Sequence, residues 1–120
     1  MIKTYGLTHL NLEVADPEAS LRFYSSLFGV KEYFRAAAGI QVLGPGPRDV
    51  LAFVRGDAAG KVGGISHFGF RLTDPNDIDD AVAAAERAGG RIIRRGEFAP
   101  GLPYVYVADP DGYEIEIWYE

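Results

Sequence analysis

The feature that most constrains the fold is an internal repeat. The first half of the chain contains Thr8-His9-Leu10-Asn11-Leu12-Glu13-Val14-Ala15-Asp16-Pro17, and the second contains Ser66-His67-Phe68-Gly69-Phe70-Arg71-Leu72-Thr73-Asp74-Pro75. In each copy a histidine is followed seven positions later by an Asp-Pro pair, and the second copy lies 58 positions after the first. The chain has two histidines, and both occupy the same place in the repeat. Self-similarity at a fixed offset marks one supersecondary unit used twice.

Each unit opens as a strand. Leu10, Leu12 and Val14 alternate with His9, Asn11 and Glu13, and Phe68, Phe70 and Leu72 alternate with His67, Gly69 and Arg71. A period of two belongs to a sheet with one apolar face. The Asp-Pro pair then opens a helix, with Asp16 and Asp74 as N-caps and Pro17 and Pro75 at the first helical position. Leu21, Tyr24, Leu27 and Phe28 form one apolar stripe and Ile78, Ala81, Val82 and Ala85 the other; Gly29 and Gly89-Gly90 close the two helices. Three strands follow in each half, over 30–36, 39–43 and 49–55, then 91–98, 103–108 and 113–119. Gly44-Pro45-Gly46-Pro47 and Asp109-Pro110-Asp111-Gly112 are turns, and Gly56 to Gly64 is the linker.

The reading is an α+β fold of two tandem βαβββ modules, residues 1–58 and 59–120. Neither module buries much surface alone. Side by side, their sheets would form one curved, cup-shaped barrel with the helices outside.

Composition narrows the function classes. A chain of 120 residues is one compact domain or two very small modules sharing one core, and its net charge of −5 disfavours binding to nucleic-acid backbones. The absence of cysteine excludes disulfides, thiolate metal sites and a cysteine nucleophile. No apolar run approaches the roughly 20 residues that span a bilayer. Met1-Ile2-Lys3-Thr4-Tyr5 lacks the apolar core of a signal peptide, so the chain is read as cytoplasmic, with no membrane partner.

If the leucines and Val14 face the first helix, His9 and Asn11 face the cup; by the same alternation so do His67 and Arg71. Glu114, Glu116 and Trp118 share one face of the last strand, and Tyr104 and Tyr106 share one face of the strand before it. Two histidines and a carboxylate on one concave surface make a facial metal-ligand set with open positions. The same alternation also describes an antiparallel sheet with a wet face and no site at all.

These residues resemble the vicinal oxygen chelate superfamily, which includes glyoxalase I, extradiol dioxygenases, fosfomycin thiol-transferases, methylmalonyl-CoA epimerase and bleomycin-binding proteins. The segments that carry the resemblance are His9–Gly29, Ile65–Pro75 and Tyr104–Trp118. The resemblance implies paired βαβββ modules and places the family's metal positions on His9, His67 and Glu116. It implies one divalent metal ion, with Fe, Mn, Ni and Zn not distinguished.

Glyoxalase I carries a fourth ligand on the last strand of its first module, where this chain has Ala52. A three-ligand site looks more like the extradiol or fosfomycin branches. The fosfomycin branch usually has Thr where Asn11 stands. The extradiol signature fits Val105 through Glu116, but its preceding histidine is replaced by Glu97-Phe98-Ala99, and its acid–base histidine is missing where Arg48 and Asp49 stand.

The resemblance thus implies a metal-dependent enzyme that chelates a small substrate through adjacent oxygens, most like an extradiol-type centre. The alternatives are a glyoxalase I-like lyase or isomerase, and a non-catalytic small-molecule-binding resistance protein using the same cup. Tyr106 would donate a hydrogen bond to a metal-bound oxygen. Asn11 and Arg71 would contact substrate, and Tyr104 and Trp118 would wall it. A homodimer is expected, since the family pairs chains and Tyr5, Trp118 and Tyr119 are candidate interface aromatics; whether His9 meets His67 within one chain or across two stays open.

Overall fold

Alternation of branched and polar residues builds the strands, and the Asp-Pro pairs punctuate them. The structure is a computed structural model that describes every residue except Ile2, Thr4 and Gly6. It divides into two compact units, Met1–Ala59 and Gly60–Glu120.

The first unit runs β1 (His9–Val14), α1 (Pro17–Phe28), β2 (Lys31–Ala36), β3 (Gly39–Leu43) and β4 (Val50–Arg55). Its sheet has the order β1-β4-β3-β2, with β1 parallel to β4 and the other pairs antiparallel. Asp16 caps α1 by accepting from the Glu18 backbone N–H at 3.1 Å, and Pro17 follows at the first position. Gly29 ends the helix with φ +68°, a left-handed conformation that suits glycine, and its N–H donates to the Ser25 carbonyl. Tyr24 of α1 is fully buried against Phe53 of β4, ring centroids 5.0 Å apart, with Leu12, Val14, Ile40 and Val42 around them. Burying one such aromatic contributes about 1.5–3 kcal/mol.

The second unit repeats the plan: β5 (Phe68–Arg71), α2 (Ile78–Arg87), β6 (Arg91–Glu97), β7 (Pro103–Ala108) and β8 (Glu114–Trp118), ordered β5-β8-β7-β6. Again the first and last strands are parallel. Val105, Val107, Ile115 and Ile117 are buried on one face of this sheet, as is Ala85 of α2. The fold class is therefore α+β with two βαβββ units. Among the described residues no helix is long and apolar enough to cross a membrane.

The second helix starts differently from its expected form. A short 3₁₀ turn covers Pro75–Asp77 before α2 begins at Ile78. Asp74 Oδ1 accepts from both the backbone N–H and the side-chain amide of Asn76 at 2.9 Å, and the Asp77 N–H donates to the Asp74 carbonyl. That side-chain competition tightens the first turn. In α1 the corresponding bond already spans four residues, from the Ser20 N–H to the Asp16 carbonyl.

Two features of the second strand of each unit recur. A register shift falls between Glu32 and Phe34 in β2 and between Ile92 and Arg94 in β6. One position beyond each shift, an arginine reaches the first turn of its own unit's helix: Arg35 pairs with Glu18, and Arg95 Nη2 lies 2.6 Å from Asp79 Oδ1.

Candidate functional site

The register of the second sheet gathers the candidate residues on the face opposite the Val105–Val107 side. On that face Glu116 of β8 stands beside Gly69 of β5 and opposite Tyr106 of β7. Trp118 stands beside Arg71 and opposite Tyr104, and Glu114 opposite Ala108. His67 immediately precedes β5.

At the centre, His67 Nε2 lies 3.3 Å from Glu116 Oε2. His67 Nδ1 lies 2.9 Å from Ser66 Oγ, which fixes the ring. Glu116 is only 9% exposed, and its Oε1 is buried with no hydrogen-bond partner among the described residues. A buried carboxylate oxygen without a donor is costly. The Tyr106 ring meets His67 edge-on, centroids 5.0 Å apart at 87°. Burial raises the Tyr106 phenol above the ordinary tyrosine value, the hydrogen-bonded Glu116 carboxylate raises it further, and Arg94 opposes both. Tyr106 thus holds its proton firmly, as a hydrogen-bond donor must.

Around this centre the aromatic rings meet edge to face, Tyr104 and Tyr106 with centroids 5.6 Å apart at 75°. A Cβ on Gly96 would sit 2.9 Å from Tyr104 Oη, and one on Gly69 would sit 3.0 Å from Trp118 Nε1. Each glycine thus leaves the room in which its neighbour's ring rests on the strand. Phe98 packs on the Tyr104 ring, centroids 4.6 Å apart and tilted by 31°. Arg94 lies over the Tyr106 ring, Cζ 3.8 Å from its centroid, with Glu114 3.7 Å away. Arg71 is 5.6 Å over Trp118 and donates to the Glu120 carbonyl. Glu13 accepts from the Ala58 N–H.

In the first unit His9 and Asn11 are exposed on β1, on the side opposite buried Leu12 and Val14. Asn11 stands beside Ala52 of β4 as Gly69 stands beside Glu116. Ala52 is therefore the first unit's counterpart of Glu116, and it cannot ligate. His67 and Glu116 stand together in the second unit, whereas His9 belongs to the first. Among the described residues no three His, Cys, Asp or Glu side chains form a set that could hold a metal.

Sequence reasoning assigned no part in the site to Ser66, Gly69, Gly96 or Phe98. The serine directly before His67 was a readable signal for the first of these. The glycines were readable only as gaps in the alternation, until the register showed which rings fill them.

The family model of the Glyoxalase/Bleomycin resistance protein/Dioxygenase superfamily matches residues 6–117. The uncharacterized protein PA2024 of Pseudomonas aeruginosa is 31% identical over 122 residues, covering 94% of this chain and 87% of that protein. The fold is shared with the lactoylglutathione lyase of Agrobacterium tumefaciens, at TM-score 0.75 and 18% identity over 97% of this chain and 94% of that one. It is shared equally with a mutant of the fosfomycin resistance protein FosX of Listeria monocytogenes, solved with Mn(II) and 1S,2S-dihydroxypropylphosphonic acid, at TM-score 0.81 and 19% identity over 96% and 90%. The chain belongs to the Glyoxalase/Bleomycin resistance protein/Dioxygenase superfamily.

Proposed function

We propose that the protein is a divalent-metal-dependent enzyme that binds a small substrate through adjacent oxygens, with His9, His67 and Glu116 as the protein ligands. The observation that carries this reading is the His67–Glu116 pair, 3.3 Å apart, with Glu116 Oε1 buried and without a donor. An imidazole nitrogen beside an under-satisfied carboxylate suits Fe, Mn, Ni or Zn. The Mn(II) held by the Listeria FosX structure supports the choice of a divalent ion. Ala52, in the position matching Glu116, favours three protein ligands over four, and so an extradiol-type centre over a glyoxalase I-like one.

A divalent ion bound here supplies Lewis-acid stabilisation of an oxyanion that develops on the substrate. The remaining work falls to the chain. With Nε2 of His67 given to ligation, its Nδ1–H donates to Ser66 Oγ, which holds the ring in one orientation. Tyr106, 8% exposed and protonated, offers its O–H to a substrate oxygen beside Glu116. Tyr104 and Trp118 provide the apolar wall, and Asn11 and Arg71 the polar contacts. We place the working form as a cytoplasmic homodimer. Sedimentation at micromolar concentration tests the pairing.

The experiment is reconstitution of metal-free protein with Fe(II) under anaerobic conditions, and separately with Mn(II), Ni(II) and Zn(II). Each form is assayed for oxygen uptake with aromatic vicinal diols and for turnover of thiol adducts of 2-oxoaldehydes. Turnover with one metal supports the reading. Stoichiometric metal without turnover of either class would leave the same face as a binding site and refute the catalytic claim.

A further inference from the structure

We infer that Gln41 is a specificity residue that donates a hydrogen bond from its side-chain amide to a carbonyl oxygen of the ligand, and that Tyr33 is the positioning residue that fixes the amide; this deepens the small-substrate reading and rests on it. The register of the first sheet places Gln41. It stands opposite Ala52 of β4 and opposite Phe34 of β2, on the face away from buried Ile40 and Val42. The second unit pairs Tyr106 with Glu116 in the same way. Since Ala52 is the counterpart of Glu116, Gln41 is the counterpart of Tyr106. In both units this position carries a side chain able to donate.

The orientation of the amide is set from β2. The register shift between Glu32 and Phe34 leaves Tyr33 as the extra residue. In a regular strand Tyr33 and Phe34 would face opposite sides. Here both reach the side of Gln41: Phe34 is its cross-strand partner, and Tyr33 Oη donates to Gln41 Oε1 at 2.7 Å. That bond engages the oxygen of the amide and turns the Nε2 donors away from the tyrosine. It also fixes the side chain before a ligand arrives, which lowers the entropy cost of binding. The second unit has the same shift, but its extra residue is Ile93, which has no hydroxyl. The bulge belongs to the fold, and its use to hold an amide is particular to Tyr33.

Among the described residues no neighbour competes for those donors. Ala52 and Phe34, across the strands, have no side-chain acceptor, and neither have Leu43, Val50 and Val54 on the same face. Gln41 is half-buried in this apolar setting. A donor left unmet there favours a ligand atom that accepts. The oxygen of a ketone, ester or amide suits it, and a group that only donates does not. Tyr33 and Phe34, 50% and 52% exposed, supply apolar contact for the body of the ligand.

Gln41 is the single glutamine of the chain, so the proton resonances of its side-chain amide report on this position alone. The full chain, after chelation, is titrated with acetophenone and with α-methylstyrene, which has a methylene in place of the carbonyl oxygen. The expected result is that acetophenone shifts the Gln41 amide resonances and binds about three- to tenfold more tightly than α-methylstyrene, the range of one neutral hydrogen bond. The Asn76 amide, already held by Asp74 at 2.9 Å, stays unshifted. Gln41→Met removes the preference and leaves α-methylstyrene binding within about twofold. Tyr33→Phe keeps the donor but frees the amide to turn, and lowers the preference by about twofold or more. Equal binding of the two probes overturns the proposal, as do unshifted Gln41 resonances or a preference that survives in Gln41→Met. A full preference in Tyr33→Phe overturns the role of Tyr33. Zn(II) is titrated in parallel, and its failure to bind counts against the metal reading alone, because the acetophenone arm contains no metal.

Discussion

Ala52 occupies in the first unit the strand position that Glu116 occupies in the second. Asn11 pairs with Ala52 across parallel strands as Gly69 pairs with Glu116. The two halves share a scaffold and differ in what they place on it. Ala52 is only 2% exposed, so a carboxylate there would be buried without a built partner. Ala52→Glu is expected to destabilise the chain by about 3 kcal/mol or more, and Ala52→Ser by no more than about 1.5 kcal/mol. Denaturant unfolding of the two variants checks this.

Tyr106 gives a pH signature. Its pKa is raised in the folded chain, chiefly by burial and then by Glu116. The folded state therefore keeps this proton where the unfolded state has begun to lose it. The contribution to stability is full below the ordinary tyrosine value of about 10 and declines as pH rises through it. A phenolate absorbance titration of the seven tyrosines should show a late component that Tyr106→Phe removes. The same variant should lower turnover by about 10- to 100-fold, equivalent to one hydrogen bond to a charged oxygen.

Ser66 should act through His67. Its Oγ is 2.9 Å from Nδ1, the nitrogen away from Glu116. Ser66→Ala is expected to weaken divalent metal binding by about 10- to 100-fold with the fold intact, and Ser66→Thr to restore most of it. Metal titration calorimetry of the two variants distinguishes this from a role in folding.

Much of the fold was legible because each signal was local. Alternation from Leu10 to Val14 fixed a face, Asp16-Pro17 fixed a helix start, and Gly29 fixed its end. The shared face was legible as far as strict alternation holds: Glu116, Tyr104, Tyr106 and Trp118 lie on one side of the sheet, with His67 against Glu116. Reading failed where the backbone departs from regularity. The bulge before Arg94 reverses the face of every later residue in β6, and nothing in Arg91-Ile92-Ile93-Arg94 marks it. The 3₁₀ turn at Pro75 arose because Asn76 competes for the cap, an effect that an Asp-Pro pair alone does not predict. The close approach of Tyr104 to Gly96 depends on cross-strand register, which one strand's sequence does not carry.

Asp109 holds the turn that delivers β8. Its Oδ1 accepts from the backbone N–H groups of Asp111 and Tyr113, both at 2.9 Å, in a buried position. Asp109→Ala leaves two donors unmade and should cost about 1–3 kcal/mol. Asp109→Asn keeps an accepting oxygen and should cost less. Thermal unfolding of both variants measures the difference.

The central claim is that His67 and Glu116 are metal ligands. Metal content by mass spectrometry, on protein purified without a metal-affinity tag, tests it most directly, with His67→Ala and Glu116→Gln alongside and circular dichroism as the fold control. The account predicts about one divalent metal per wild-type chain and about a tenth of that or less in either variant, all three being folded. Wild-type protein that holds no metal even after anaerobic Fe(II) reconstitution would contradict it, as would full metal content in His67→Ala.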